Sequence, residues 1–300
     1  MNFWKSIYIK WNSQELAKWN SFRKTAYLIL PLLIYFLVHD GTEVLLWALL
    51  NQILTAENTG LSDLLTENAD TVRGGINGLA ILTGVLVIWP ALKQEIGKEG
   101  AALTVTDKKA EDGSQRFDMT KLVNNYALLA ALAFLSAFGL NLLFHVIGLT
   151  SGSASYNRTA RAQYGVNFMV GLILYGILSP VAEEAVFRGL IYNRMKRCFG
   201  NFLGVTVSAL LFGCYHGNLV QGIYGTVLGL LIAYLYEKYG SFAAPVLFHS
   251  VANVSVYVMT YYNSLSDMSP AVSIGTMAAF LMGAGFCLWY IKKNVSAPKA

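Results

Sequence analysis

The chain has 300 residues, of which 55% are hydrophobic and only 13% charged, with a formal net charge of +5. A soluble domain carries about a quarter of its residues as Asp, Glu, Lys and Arg, so this chain has too little charge to cover a water-exposed surface. Aromatic residues at 13% and six prolines exclude disordered and fibrous classes. Cys198, Cys214 and Cys287 are too scattered for a disulfide framework or a CxxC metal pair. The remaining class is an all-α, polytopic membrane protein.

Residues 1–24 lack the apolar run and cleavage site of a signal peptide. Trp4, Tyr8, Trp11 and Trp19 recur there at helical spacing among Lys5, Lys10 and Lys18. That pattern predicts an amphipathic segment lying in the headgroup zone, with a frayed basic tail as the plain alternative. A membrane-crossing helix needs about 20 apolar residues. Stretches free of Lys, Arg, Asp and Glu run over 75–92, 122–149, 164–182, 202–216, 219–236, 241–262 and 271–291. A further span, 25–54, is interrupted by His39, Asp40 and Glu43, read as a break with no chemistry assigned. About eight transmembrane helices follow, with both termini on one side. The organisation is an interfacial segment 1–24, N-terminal helices over 25–163 with a solvated loop at 93–121, a core over 164–262, and a last helix with a basic tail over 263–300.

The distribution of charge orients this arrangement. Of the 22 Lys and Arg residues, 18 fall on the side of the termini and three (Arg73, Arg158 and Arg161) on the other, with Arg188 inside a span. The positive-inside rule then makes both termini cytoplasmic. The same scatter argues against nucleic acid as a partner, because such proteins gather basic residues on one soluble face. The partners expected are the lipid bilayer and a peptide or membrane-tethered protein.

Ionisable residues inside apolar spans cost roughly 2.5–3.5 kcal/mol each and need a reason. The densest group is Ser179-Pro180-Val181-Ala182-Glu183-Glu184-Ala185-Val186-Phe187-Arg188-Gly189. Pro180 lacks an N–H, which predicts a new helix with Ser179 as its N-cap and Pro180 at the first position. Glu184 and Arg188 are spaced to pair on one helical face. Glu183 lies about 100° round from Glu184, leaving its carboxylate free to act as a base. His216 closes one apolar stretch before Gly217-Asn218, and His249 and Asn253 share a face of another. An imidazole beside an amide suits a developing oxyanion. His145, standing alone, reads as a helix–helix hydrogen bond.

Glu183-Glu184-x-x-x-Arg188, Phe212-x-x-x-His216 and His249-x-x-x-Asn253, in that order on apolar helices, resemble the CPBP family. These are the type II CAAX prenyl endopeptidases and their bacterial bacteriocin-processing relatives. The resemblance covers roughly 165–262, and every motif position is intact. It implies an intramembrane endopeptidase in which Glu183, oriented with His216, activates water. His249 and Asn253 would form the oxyanion hole, while Glu184 and Arg188 hold the helix start and tune the local field.

Two histidines and a carboxylate also make a legitimate zinc set, so Zn2+ is the competing cofactor. The absence of HExxH and the placing of the ligands on separate helices favour no cofactor. Other functions open to such a chain are a transporter with an intramembrane proton path and a non-catalytic scaffold or bacteriocin-immunity protein. No inverted repeat of interrupted spans supports the transporter. Short loops and a short tail point to a multi-pass protein of the bacterial plasma membrane.

Overall fold

The structure, a computed structural model, describes residues 18–55, 59–96, 106–109, 115–117, 119–262 and 268–295. In chain order these form α1 (Ser21–Thr55), α2 (Thr59–Glu67), α3 (Ala69–Ile96), β1 (Thr106–Lys109), β2 (Gln115–Phe117), α4 (Met119–Val146) and α5 (Ala154–Tyr164). The composite helix α6 (Phe168–Phe199) follows, then α7 (Asn201–Tyr215), α8 (Leu219–Tyr239), α9 (Ala243–Tyr261) and α10 (Pro270–Asn294).

Among the described residues, seven helices are long and apolar enough to cross a membrane: α1, α3, residues 123–146 of α4, α6, α8, α9 and α10. The remaining apolar stretch of the sequence is α7, whose 15 residues extend about 22 Å against a hydrocarbon core of about 30 Å. The protein is an all-α, multi-pass membrane protein. Large apolar side chains cover its outer faces, among them Leu37 at 74% exposure, Phe202 at 80% and Met282 at 69%. Such faces suit lipid, because a water-soluble monomer rarely exposes so much contiguous apolar surface.

Two apolar clusters organise the interior. One joins α4, α8, α9 and α10 through Leu129, Leu132, Ile232, Leu235, Phe248 and Ile291. The other joins α1, α3, α6 and α7 through Tyr35, Ile88, Leu92, Phe187, Leu190 and Phe212. The polar motifs lie where these halves meet, on α6, α7 and α9.

A buried polar clasp ties the far end of α6 to the first two spans. Glu95 of α3, 3% exposed, accepts from Arg194 Nε at 3.2 Å and from the Tyr27 hydroxyl at 3.1 Å, and pairs with Arg197. Arg194 also donates to the Tyr27 carbonyl at 2.7 Å. One buried carboxylate thus serves two guanidinium groups.

Several expectations are corrected. Asp40 and Glu43 do not break the first span, since α1 is continuous and needs only backbone hydrogen bonds to pass through polar side chains. Ser179 is not an N-cap: the backbone at Leu178 is already helical and α6 runs straight on. His145 makes no helix–helix hydrogen bond among the described residues, because its side chain is exposed on the last turn of α4. Within the stretch read as the loop 93–121, β1 pairs antiparallel with β2. The helices α2 and α5 were not read from the sequence. Most of the segment 1–24 lies outside the described residues; at its described end Trp19 meets Tyr27 edge-on at 5.7 Å.

Candidate active site

The geometry of the site begins with Pro180. An α-helix needs an N–H at every position to bond four residues back, and proline has none. In α6 the helix widens ahead of the proline instead of ending. Residues Leu174–Leu178 form a π-turn, and the Ser179 N–H bonds five residues back to the Leu174 carbonyl. A second π-segment, Ala185–Tyr192, follows the glutamates. Such single turns inside α-helices are frequent at functional sites. With 15 residues before it and 16 after it in α6, Glu183 sits near mid-helix.

Ser179 and Glu183 are one turn apart, and the serine hydroxyl donates to Glu183 Oε1 at 2.6 Å. Glu183 Oε2 is buried without a hydrogen-bond partner and lies 3.7 Å from His249 Nε2. The carboxylate read as free is thus held by one oxygen and available at the other. Glu184 Oε1 accepts from Arg188 Nη1 at 2.9 Å and from His249 Nδ1 at 2.7 Å. A carboxylate only accepts when ionised, so the proton on that bond belongs to His249 Nδ1. This leaves Nε2 directed at Glu183.

Arg188 is 0% exposed, and its Nη2 donates to the Gly229 carbonyl of α8 at 3.0 Å. The guanidinium stacks over the Phe212 ring at 4.7 Å. Gly229 is needed here, since a Cβ at this position would lie 3.2 Å from Arg188 Nη2 and 3.1 Å from Ala209 Cα.

Phe212 is the hub. Its ring meets His216 at 4.9 Å and His249 at 5.4 Å between centroids, both nearly perpendicular. His216 Nδ1 is 2.8 Å from the Phe212 carbonyl. A carbonyl can only accept, so Nδ1 carries the hydrogen and Nε2 is left for other partners. Phe36 of α1 and Phe187 of α6 reach Tyr215 at 5.5 and 5.7 Å, making an aromatic rim on this side.

The structure therefore brings Glu183, Glu184, Arg188 and His249 into one contact network, with His216 joined to it through Phe212. Asn253 lies elsewhere: its Nδ2 donates to the Tyr175 carbonyl at 3.0 Å. Sequence reasoning missed Ser179 as the partner of Glu183, although the four-residue spacing was available, and had no signal for the Gly229 carbonyl. A zinc set of Glu183, His216 and His249 is not drawn together. Among the described residues, the group of such side chains with ligand atoms within 4.8 Å of one another is His39, Asp40 and Glu43 on α1. The two site imidazoles instead pack on one aromatic ring.

The fold and the site define a class: a multi-pass helical membrane protein with glutamates and a buried histidine assembled between its apolar helices. Residues 165–255 match the family described as type II CAAX prenyl endopeptidase Rce1-like. The resemblance carried by the three motifs is borne out over this segment. The chain is 25% identical over 116 residues to the Bacillus subtilis (strain 168) protein named "Putative membrane peptidase YdiL", covering 39% of this chain and 47% of that one. It is 33% identical over 86 residues to an uncharacterized 24.3 kDa protein of Escherichia coli, covering 27% and 40% respectively. The chain thus spans less than half the length of these curated relatives. No solved structure matches it.

Proposed function

We propose that this protein is an intramembrane endopeptidase that hydrolyses a peptide bond near the membrane surface by glutamate-based catalysis. The observation that carries the reading is the Glu183 carboxylate, anchored through Oε1 and presenting a buried, unpartnered Oε2 to His249 Nε2 at 3.7 Å. That separation is longer than a hydrogen bond and suits a water held by both groups.

Glu183 takes a proton from this water as its oxygen bonds to the substrate carbonyl carbon, and the carbonyl electron pair moves onto its oxygen. Glu184 positions His249 through Nδ1 as an aspartate positions the histidine of a hydrolytic triad. His216, whose ring hydrogen is held at Nδ1 by the Phe212 carbonyl, presents Nε2 as an acceptor. Collapse returns the electron pair, breaks the C–N bond, and passes the proton from Glu183 to the leaving amine. His249 is thus the imidazole beside Glu183, where the resemblance implies His216. Support comes from this geometry, from the family matched over 165–255 and from the relative named as a membrane peptidase.

The substrate is a short or membrane-tethered peptide, the membrane is a bacterial plasma membrane, and both termini are cytoplasmic. The test is cleavage of a panel of membrane-tethered peptides in detergent by wild type, Glu183→Ala and Glu184→Ala. Glu183→Ala is expected to abolish turnover while leaving the folded protein intact. Normal cleavage by Glu183→Ala would overturn the proposal, and uptake of a solute lost with Glu183 would favour a transporter. Added chelator is expected to leave wild-type turnover unchanged. Loss restored by Zn2+ would establish the metal-dependent alternative.

A further inference from the structure

The resemblance assigns Asn253 to the oxyanion; in the structure one N–H of its amide is given to the backbone. The Leu174 carbonyl accepts from the Ser179 N–H in the i→i+5 register of the π-turn. In that register the next carbonyl, of Tyr175, would accept from residue 180. Residue 180 is proline and has no N–H to give. A carbonyl left bare inside a membrane protein has no water to fall back on. Asn253 Nδ2, from a helix 78 residues further along the chain, bonds to this carbonyl at 3.0 Å. The contacting atom has to be the amide nitrogen, since two acceptors would repel.

The approach of α9 is built for this contact. A Cβ at Gly176 would lie 2.7 Å from Cγ2 of Val254, the residue after Asn253, so the glycine admits α9 at the level of the π-turn. His249 and Asn253 are one helical turn apart on the same face. One face of α9 therefore grips α6 twice, at the glutamates through His249 and at the widened turn through Asn253. A π-turn accommodates one residue more than an α-turn, which rotates everything after it by roughly 100°. Glu183 lies after that turn, so its direction depends on the turn being kept.

We propose that Asn253 is a positioning residue whose amide replaces the N–H missing at Pro180, holding the π-turn that aims Glu183 at His249. The proposal rests on the reading of Glu183 as the base, and its primary test does not need activity. Hydrogen exchange of peptides spanning 174–184 is compared in purified wild type, Asn253→Ala, Pro180→Ala and the double variant.

Asn253→Ala is expected to exchange about tenfold faster through this segment. The double variant is expected to recover protection, because Pro180→Ala restores a backbone donor. On the peptide panel, Asn253→Ala should lower kcat by up to about 100-fold with little change in KM, and the double variant should return towards Pro180→Ala. Exchange left unchanged by Asn253→Ala overturns the proposal, as does a kcat loss that Pro180→Ala fails to relieve; that last outcome restores the oxyanion role. If no variant cleaves but the exchange pattern holds, the positioning role stands and the peptidase reading fails.

Discussion

Replacing Arg188 by Met tests the electrostatic logic of the site. Met keeps much of the length and apolar volume but removes the hydrogen bonds to Glu184 at 2.9 Å and to the Gly229 carbonyl at 3.0 Å. Both Arg188 and Glu184 are 0% exposed. Removing one member of a buried ion pair costs about 3–5 kcal/mol, chiefly because the remaining charge is stranded. Glu184 keeps His249 Nδ1 at 2.7 Å, which places the expectation at the lower end, about 3 kcal/mol. At about 2–4 °C per kcal/mol, the melting temperature in detergent should fall by roughly 6–12 °C. Glu184→Gln combined with Arg188→Met removes both charges and should be less destabilised than the two single losses added together. A fall under about 2 °C for Arg188→Met, or strict additivity in the double variant, would refute the reasoning.

Other outcomes follow from the same contacts. Glu95→Gln removes the carboxylate shared by Arg194, Arg197 and Tyr27, and should cost about 3 kcal/mol in thermal unfolding without altering the Glu183 site. Gly229→Ala places a Cβ 3.1 Å from Ala209 Cα and should destabilise by about 1–3 kcal/mol through overpacking; a neutral effect would show that α7 and α8 separate freely. For orientation, single cysteines at Ser114 and Gly152 are placed in a background without Cys198, Cys214 and Cys287. An impermeant maleimide applied to intact cells should label the Gly152→Cys protein, and the Ser114→Cys protein only after permeabilisation. The reverse pattern would invert the topology.

The membrane class and most of the spans were legible because hydropathy is a sum over neighbours in sequence, and a long apolar run needs no partner to be recognised. The pairing of Glu184 with Arg188 was legible for a related reason: a four-residue spacing is a local property of any helix. Ser179 to Glu183 has the same spacing and was passed over because Pro180 suggested a helix start. What reversed that reading is a tertiary contact. The missing N–H can be compensated by an amide from α9, so the helix widens and continues, and no local rule anticipates a donor from so far along the chain.

The histidines show the same division. Their presence on apolar segments was plain in the sequence, but which imidazole faces Glu183 depends on how α7 and α9 dock against α6. That docking rests on the Phe212 ring, the Gly229 notch and the widened turns of α6. Sequence alone determined that this is a membrane protein and which few polar residues it carries inside. Tertiary structure decided their partners, because a buried polar group takes its role from the donor or acceptor that packing brings within about 3 Å.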